Sequence, residues 1–262
     1  MDFYKYEAAG NDFVVIDGRG RDVLQCCRAN AVRWCDRHFG IGADGVLCVA
    51  DGEGCDAFMH IVNADGTTAS MCGNGIRCVA RYLLDAGASA GTFSIGTLGG
   101  VQTVRCLEGG LFEVRMARAE LGPACEIAQD GAVWSGRRVD VGNPHAVFEV
   151  CESPADALRR AGAFLSNHPS FPDRSNVEFV RAVSERVLEF AVYERGVGPT
   201  LACGTGCVAA ATAYAAAHGL AGAAIELRAP GGTLSVRTAA TPRDSAFLVG
   251  SARRVFAGAI CS

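Results

Sequence analysis

Two cysteines of the chain stand in the same setting, 131 residues apart: Cys72 in ASMCGNGIRCVARY at 69–82, and Cys203 in TLACGTGCVAAATAY at 200–214. Each opens a Cys-Gly-x-Gly stretch at the mouth of an apolar segment. A helix start exposes backbone N–H groups without intrahelical partners and carries a partial positive charge. Flanking glycines let a ligand approach that backbone closely, so each start is a seat for a carboxylate or phosphate. The same field favours thiolate over thiol. A thiolate and a thiol on opposite sides of one carbon can invert its configuration, one removing the α-proton and the other delivering a proton to the far face. Each positioned acid or base is worth about 10²–10⁴ in rate. The carbanion formed in between pushes charge onto a neighbouring carboxylate, where the loss of one helix-terminus donor costs about 2.7–4 kcal/mol. The two cysteines therefore point to a two-base inversion that needs no cofactor.

Other chemistries fit less well. Neither cysteine has a histidine near it in sequence, which weakens nucleophilic catalysis, and His145 is the only histidine in the recurring Gly-Asn landmark. No C-x-x-C occurs and the five histidines are scattered singly, so no metal site is expected. Pyridoxal phosphate needs a Schiff-base lysine, and the only lysine is Lys5, between Tyr4 and Tyr6. Neither CGNGIRC nor CGTGCVA completes G-x-G-x-x-G, which excludes the dinucleotide fingerprint.

The elements that must position the cysteines are duplicated too. GNDFVV at 10–15 recurs as GNPHAV at 142–147, the stretch 58–75 aligns without gaps on 189–206, and LGGVQTV at 98–104 pairs with PGGTLSV at 230–236. Gly87 and Gly219 close the two apolar segments. Landmarks in one order at one offset imply two similar halves. In each half an alternating segment reads as a strand: Phe58, His60 and Val62 against Met59 and Ile61, then Leu188, Phe190 and Val192. After Cys72, residues Ile76, Val79, Ala80, Leu83 and Leu84 fall at helical spacing, while the segment after Cys203 is apolar nearly all round and reads as a helix buried on every side. The expected fold is α+β, with two pseudo-symmetric domains of mostly antiparallel strands around a central helix. The halves are expected at 1–117, joined by the last strand at about 251–262, and at 118–250, the two cysteine sites facing one another across the cleft.

Composition sets the outer limits. The 262 residues are half apolar and one-fifth charged, ample for large cores. A net charge of −4 and the lack of any basic run speak against nucleic acid or an anionic membrane as partners, leaving a small molecule. The apolar run 201–224 is mostly Ala and Gly and too weakly hydrophobic for a bilayer. The start MDFYKYEAAGND lacks the basic and apolar regions of a signal peptide, so a cytoplasmic location is expected, with the 13 cysteines as thiols. Apart from Cys72 and Cys203 these are expected to be buried packing, Cys26, Cys151 and Cys261 included.

The motifs together resemble the diaminopimelate epimerase family. GNDFVVID at 10–17, GIGADG at 40–45, NADG at 63–66, MCGNGIRC at 71–78, GNPH at 142–145, NVEFV at 176–180, ERGVGPTLACGTG at 194–206 and PGG at 230–232 carry the resemblance over nearly the whole chain. It implies a barrel-like pair of domains, Cys72 and Cys203 as acid and base, and interconversion of L,L- and meso-diaminopimelate for lysine and peptidoglycan precursors. It further implies that Gly73, Asn74, Gly204 and Thr205 hold the reacting carboxylate, and that Asn11, Asn143, His145 and Glu194 surround the reacting centre. Asn63, Asn176 and Arg195 would grip the distal end, where an arginine fork suits a carboxylate. A homodimer is compatible with it. Departures from the family pattern are Glu7, Ala8 and Ala9 before GNDF, Pro199 in place of glutamate, and Cys207 in place of alanine. They leave two rivals, a racemase of another amino acid such as histidine and a non-catalytic amino-acid-binding protein.

Overall fold

The structure, a computed structural model, describes residues 1–241 and 243–260. The chain divides into two compact units, Met1–Val114 with Gly250–Ser262, and Arg115–Val249.

The first unit contains β1 (Asp2–Ala8), β2 (Asn11–Asp17), α1 (Leu24–Cys35), β3 (Gly45–Ala50), β4 (Ala57–Asn63), β5 (Thr68–Ala69), α2 (Gly73–Asp85), β6 (Thr92–Gly96), β7 (Gln102–Cys106) and β8 (Leu111–Arg115). The second contains β9 (Glu120–Gln129), β10 (Ala132–Asp140), β11 (Pro144–Glu149), α3 (Pro154–Ser166), β12 (Asn176–Ser184), β13 (Val187–Glu194), β14 (Gly198–Thr200), α4 (Gly204–His218), β15 (Ala224–Ala229), β16 (Gly232–Arg237) and β17 (Phe247–Ser251), after which β18 (Arg253–Ala259) returns to pair with β1.

Most pairings are antiparallel, and the exceptions repeat. β2 runs parallel to β3 and β4 to β6; in the other unit β11 runs parallel to β12 and β13 to β15. Even the register repeats. Phe13 stands opposite Gly45, and 132 and 131 residues later His145 stands opposite Asn176. The duplication read from the motifs is thus a duplication of topology.

Each unit wraps strands around one helix. α2 packs against β1, β2, β3, β4, β7 and β18, and α4 against β10, β11, β12, β15 and β16. The expected helices are found, with one correction: α4 is buried through Ala215, but Ala216, Ala217 and His218 are exposed. A small-residue helix is apolar by composition wherever its last turn lies, so hydropathy alone cannot locate its solvent end. Gly219 closes α4 in the left-handed region at φ 70°.

Each unit also has a second helix, α1 or α3, that the sequence reading did not anticipate. α1 covers Val14, Ile16, Val46 and Val62 with Cys27, Ala31 and Trp34. α3 covers Phe148, Val177 and Phe179 with Ala157, Ala161 and Leu165. The signal was present for α3: Pro154 sits in the first turn after Ser153, and Ala157, Ala161 and Leu165 recur every fourth residue.

The cysteines separate by environment. Cys27, Cys35, Cys48, Cys78, Cys125 and Cys207 are buried, as expected, and Cys55 and Cys106 half-buried. Cys26 and Cys151 are exposed, against expectation; they lie on the solvent sides of α1 and of the turn before α3. Cys261 lies outside the described residues.

Candidate active site

Cys72 and Cys203 are the N-caps of α2 and α4, in matching extended conformations, φ −145° and ψ 116° for one, φ −125° and ψ 121° for the other. Each sulfur takes the place of a capping oxygen. Gly75 N–H donates to Cys72 Sγ at 3.3 Å, and Gly206 N–H to Cys203 Sγ at 3.4 Å. The third helical residue is glycine both times, and a side chain there would stand against the capping cysteine's own Cβ and the strand beneath. A Cβ on Gly75 would stand 3.4 Å from Cys72 Cβ, and one on Gly206 only 3.2 Å from Cys203 Cβ and 2.8 Å from Glu178 Oε1.

Around Cys72 the first unit collects three of the expected residues, Asn11, Gly73 and Asn74. Asn11, where β2 begins, brings its Oδ1 3.8 Å from Cys72 Sγ and 3.4 Å from Asn74 Nδ2, while its own Nδ2 donates to Asp44 at 2.6 Å. Gly73 opens α2. Asn63, at the end of β4, donates to Thr67 Oγ1 at 2.9 Å within its own turn. Sequence reasoning missed Arg77. It is fully buried one turn into α2, where it donates to Gly73 O at 2.9 Å and Asn74 Oδ1 at 2.8 Å. Its guanidinium braces the helix start from within. An arginine between Ile76 and Cys78 on a buried stripe was the available signal.

Glu7, the unusual residue before GNDF, is committed elsewhere. It accepts from Gly10 N–H at 3.1 Å and from Arg253 at 2.6 Å, bracing the tight β1–β2 turn in which Ala9 and Gly10 have φ of 52° and 78°. Lys5 is buried against Asp12 at 2.6 Å, and Asp12 also pairs with Arg37 at 2.7 Å. Burial works against the Asp12 charge, but the bonds from Arg37 and Lys5 prevail and hold its carboxyl at about 2.

Around Cys203 the second unit gathers ionisable side chains into its core, with His145 and Glu178 both wholly buried. Thr205 Oγ1 lies 3.4 Å from Cys203 Sγ, and Gly204 opens α4. His145 on β11 is buried, with Nε2 3.0 Å from Asn143 Oδ1 and Nδ1 2.7 Å from Glu178 Oε1. Glu194, at the end of β13, accepts from the Thr200 hydroxyl. Asn176 links Arg195 to this group: it donates to Pro144 O at 3.0 Å and accepts from Arg195 N–H at 2.9 Å. The exposed Arg195 guanidinium donates to Asp173 O at 2.9 Å.

The expectation that a helix start favours thiolate is corrected for Cys203. Burial pushes its thiol well above the ordinary value and the negative charge of Glu194 adds to this, outweighing the hydrogen bonds from Thr205 and Gly206. Cys203 therefore holds its proton near neutral pH. Glu178 is the second residue that sequence reasoning missed, although NVEFV contained it; its signal is a carboxylate inside a strand whose neighbours, Val177 and Phe179, are both fully buried.

Comparison with known proteins gives this geometry a family. The sequence model of the family described as diaminopimelate epimerase matches residues 3–121 and 137–255. The diaminopimelate epimerase of Nostoc punctiforme is 38% identical over 277 residues, covering 98% of this chain and 99% of its own. The diaminopimelate epimerase of a Synechocystis species is 38% identical over 276 residues, with 98% of each chain covered. Among solved structures, a phenazine biosynthesis protein of Bacillus anthracis shares the fold with a TM-score of 0.79 at 14% identity, covering 100% of this chain and 99% of its own. A hydroxyproline epimerase of Agrobacterium vitis follows at 0.70 and 16%, covering 98% and 90%.

Proposed function

The chain belongs to the diaminopimelate epimerase family, and from that premise we propose that it interconverts L,L- and meso-diaminopimelate with two cysteines and no cofactor, as a step toward lysine and peptidoglycan precursors. The observation that carries the mechanism is the pair of thiol N-caps, one per unit, with the same backbone conformation and the same glycine donor. In one direction Cys72 removes the α-proton and Cys203, which holds its proton, delivers it to the opposite face; in the other direction the roles exchange.

The reacting carboxylate sits at the helix starts, held by the N–H groups at Gly73 and Asn74 and at Gly204 and Thr205, where charge developing beside the carbanion meets oriented donors. Asn11, Asn143, His145 and Glu194 surround the stereocentre. Asn63, Asn176 and Arg195 receive the distal amino-acid end; Arg195 N–H and Pro144 O meet on Asn176, which ties Arg195 to the His145 strand. Among the described residues no helix is long and apolar enough to cross a membrane. The proposed reaction is cytoplasmic and acts on a free small-molecule substrate, as the family's biosynthetic role implies.

The test is proton NMR in D₂O of fully reduced protein with L,L-diaminopimelate, L-histidine and L-lysine in parallel. Loss of the α-proton signal and appearance of the meso product from diaminopimelate alone is the expected result. Exchange in another amino acid alone replaces the substrate, and exchange in none leaves a binding protein.

A further inference from the structure

The two halves differ at one pair of corresponding positions in a way the fold does not require. Phe13 on β2 and Leu47 on β3 correspond to His145 on β11 and Glu178 on β12, at offsets of 132 and 131 residues and in the same parallel register. In the first unit these positions are apolar, and Leu47 Cδ2 lies 3.3 Å from where a Cβ on Gly75 would stand. In the second they hold a histidine and a glutamate whose side chains are both wholly buried, and Glu178 Oε1 occupies the place under Gly206. The architecture is thus satisfied by hydrocarbon here. A buried ionisable pair costs several kcal/mol more to desolvate than hydrocarbon.

The proton arrangement follows from the partners. Glu178 Oε1 meets His145 Nδ1 at 2.7 Å, but Oε2 is buried with no hydrogen-bond partner. An ionised carboxylate calls for donors on both oxygens, whereas a carboxylic acid with its hydroxyl on Oε1 leaves only a carbonyl oxygen unmatched. On the other side of the ring, Nε2 faces Asn143 Oδ1, an acceptor, at 3.0 Å. Turning the Asn143 amide over would let Nε2 accept instead, but Glu178 would then be an anion beside a neutral imidazole. The groups that bear on it are His145 on β11, Glu194 on β13 and Cys203 at the head of α4. Of these only His145 can supply positive charge, and Glu194 adds negative.

We infer that Glu178 is a positioning residue held as a neutral carboxylic acid, whose hydroxyl donates a hydrogen bond to His145 Nδ1 and so fixes His145 as a neutral Nε2–H donor at the reacting centre. Burial pushes the Glu178 carboxyl up and Glu194 adds to this, while His145 opposes it. A neutral imidazole can hydrogen-bond to charge developing on a substrate carboxylate without surrendering a proton to it. It also adds no positive charge that would draw the proton from Cys203. The catalytic part of the inference rests on the proposed placement of His145 at the reacting centre; the proton arrangement does not, and it is measured without substrate.

The experiment is nitrogen NMR of the intact, reduced protein labelled with ¹⁵N-histidine at pH 7, with the His145 signals assigned by their loss in His145→Gln. Nε2 protonated and Nδ1 unprotonated is the expected state; both protonated, or Nδ1 alone, overturns the inference. Glu178→Leu, which installs what the other half carries, should fold and lower kcat by about 10², the effect of losing one preorganised donor. Glu178→Gln, whose amide N–H can donate to Nδ1 as the acid does, should retain the Nε2–H tautomer and recover most of that loss. Equal losses in the two variants would show that shape alone matters at this position. Absence of epimerase activity in the wild type would remove the proposed function and leave the tautomer measurement standing.

Discussion

Cys203 and its surroundings show how burial and helix geometry compete over one proton. The cap hydrogen bond from Gly206 favours charge on sulfur, but burial and the Glu194 carboxylate outweigh it, so the thiol stays protonated. Replacing either Cys72 or Cys203 by alanine removes the acid or the base and is expected to lower the rate of inversion by at least about 10²–10⁴, with far-UV circular dichroism unchanged. α-Proton exchange in D₂O checks this, and a single variant retaining most of its activity would defeat the two-thiol assignment. In the proposed reaction Arg195 carries the specificity. Its truncation to alanine is expected to raise KM for diaminopimelate about 10- to 100-fold, the worth of a hydrogen bond to a charged group. Steady-state kinetics with meso-diaminopimelate would show no change in KM if the guanidinium served only Asp173.

At the scale of elements, the two helix starts tolerate change unequally because their neighbours differ. A methyl group on Gly206 would meet Glu178 Oε1 at 2.8 Å, a buried oxygen already committed to His145. On Gly75 it would meet Leu47 Cδ2 at 3.3 Å, the end of a side chain that can turn aside. Gly206→Ala is therefore expected to cost about 1–3 kcal/mol and to depress kcat as well. Gly75→Ala, which also gains helix propensity, should stay within about 1 kcal/mol of the parent. Thermal melts of the two variants side by side decide the matter, and equal destabilisation would mean that Glu178 yields as readily as Leu47.

For the molecule as a whole, the only lysine supports stability rather than chemistry. Lys5 and Arg37 keep the Asp12 carboxyl at about 2 against the cost of burial. A depressed carboxyl stabilises the fold above its unfolded value, about 3.9, and this contribution disappears as pH falls toward the folded value. Lys5→Met breaks one arm of the buried pair and is expected to cost about 2 kcal/mol near neutral pH. It should also move the acid-unfolding midpoint upward, because Asp12 would then protonate at higher pH. Fluorescence-monitored acid titration of both proteins reads this, and coincident midpoints would show that Arg37 alone suffices.

The duplication, the two cysteines and the central helices were legible in the sequence because they rest on local signals: glycine-flanked caps, helical and strand periodicity, and landmarks at one offset. The family followed from motif order, and the family model and the diaminopimelate epimerase relatives bear it out. α1 escaped because its buried face is formed by cysteines, alanine and one tryptophan rather than a regular aliphatic stripe. The positions of Cys26 and Cys151 escaped because a cysteine's hydropathy is the same on either side of a helix or turn. The protonation of Cys203 and the roles of Arg77 and Glu178 were decided only by the tertiary structure. Glu178 lies 33 residues from His145 and 25 from Cys203, and in sequence it is one acid inside an apolar strand. Only the folded chain removes the water around it, and it is that loss of solvent, through pairing across parallel strands, that sets where the protons reside.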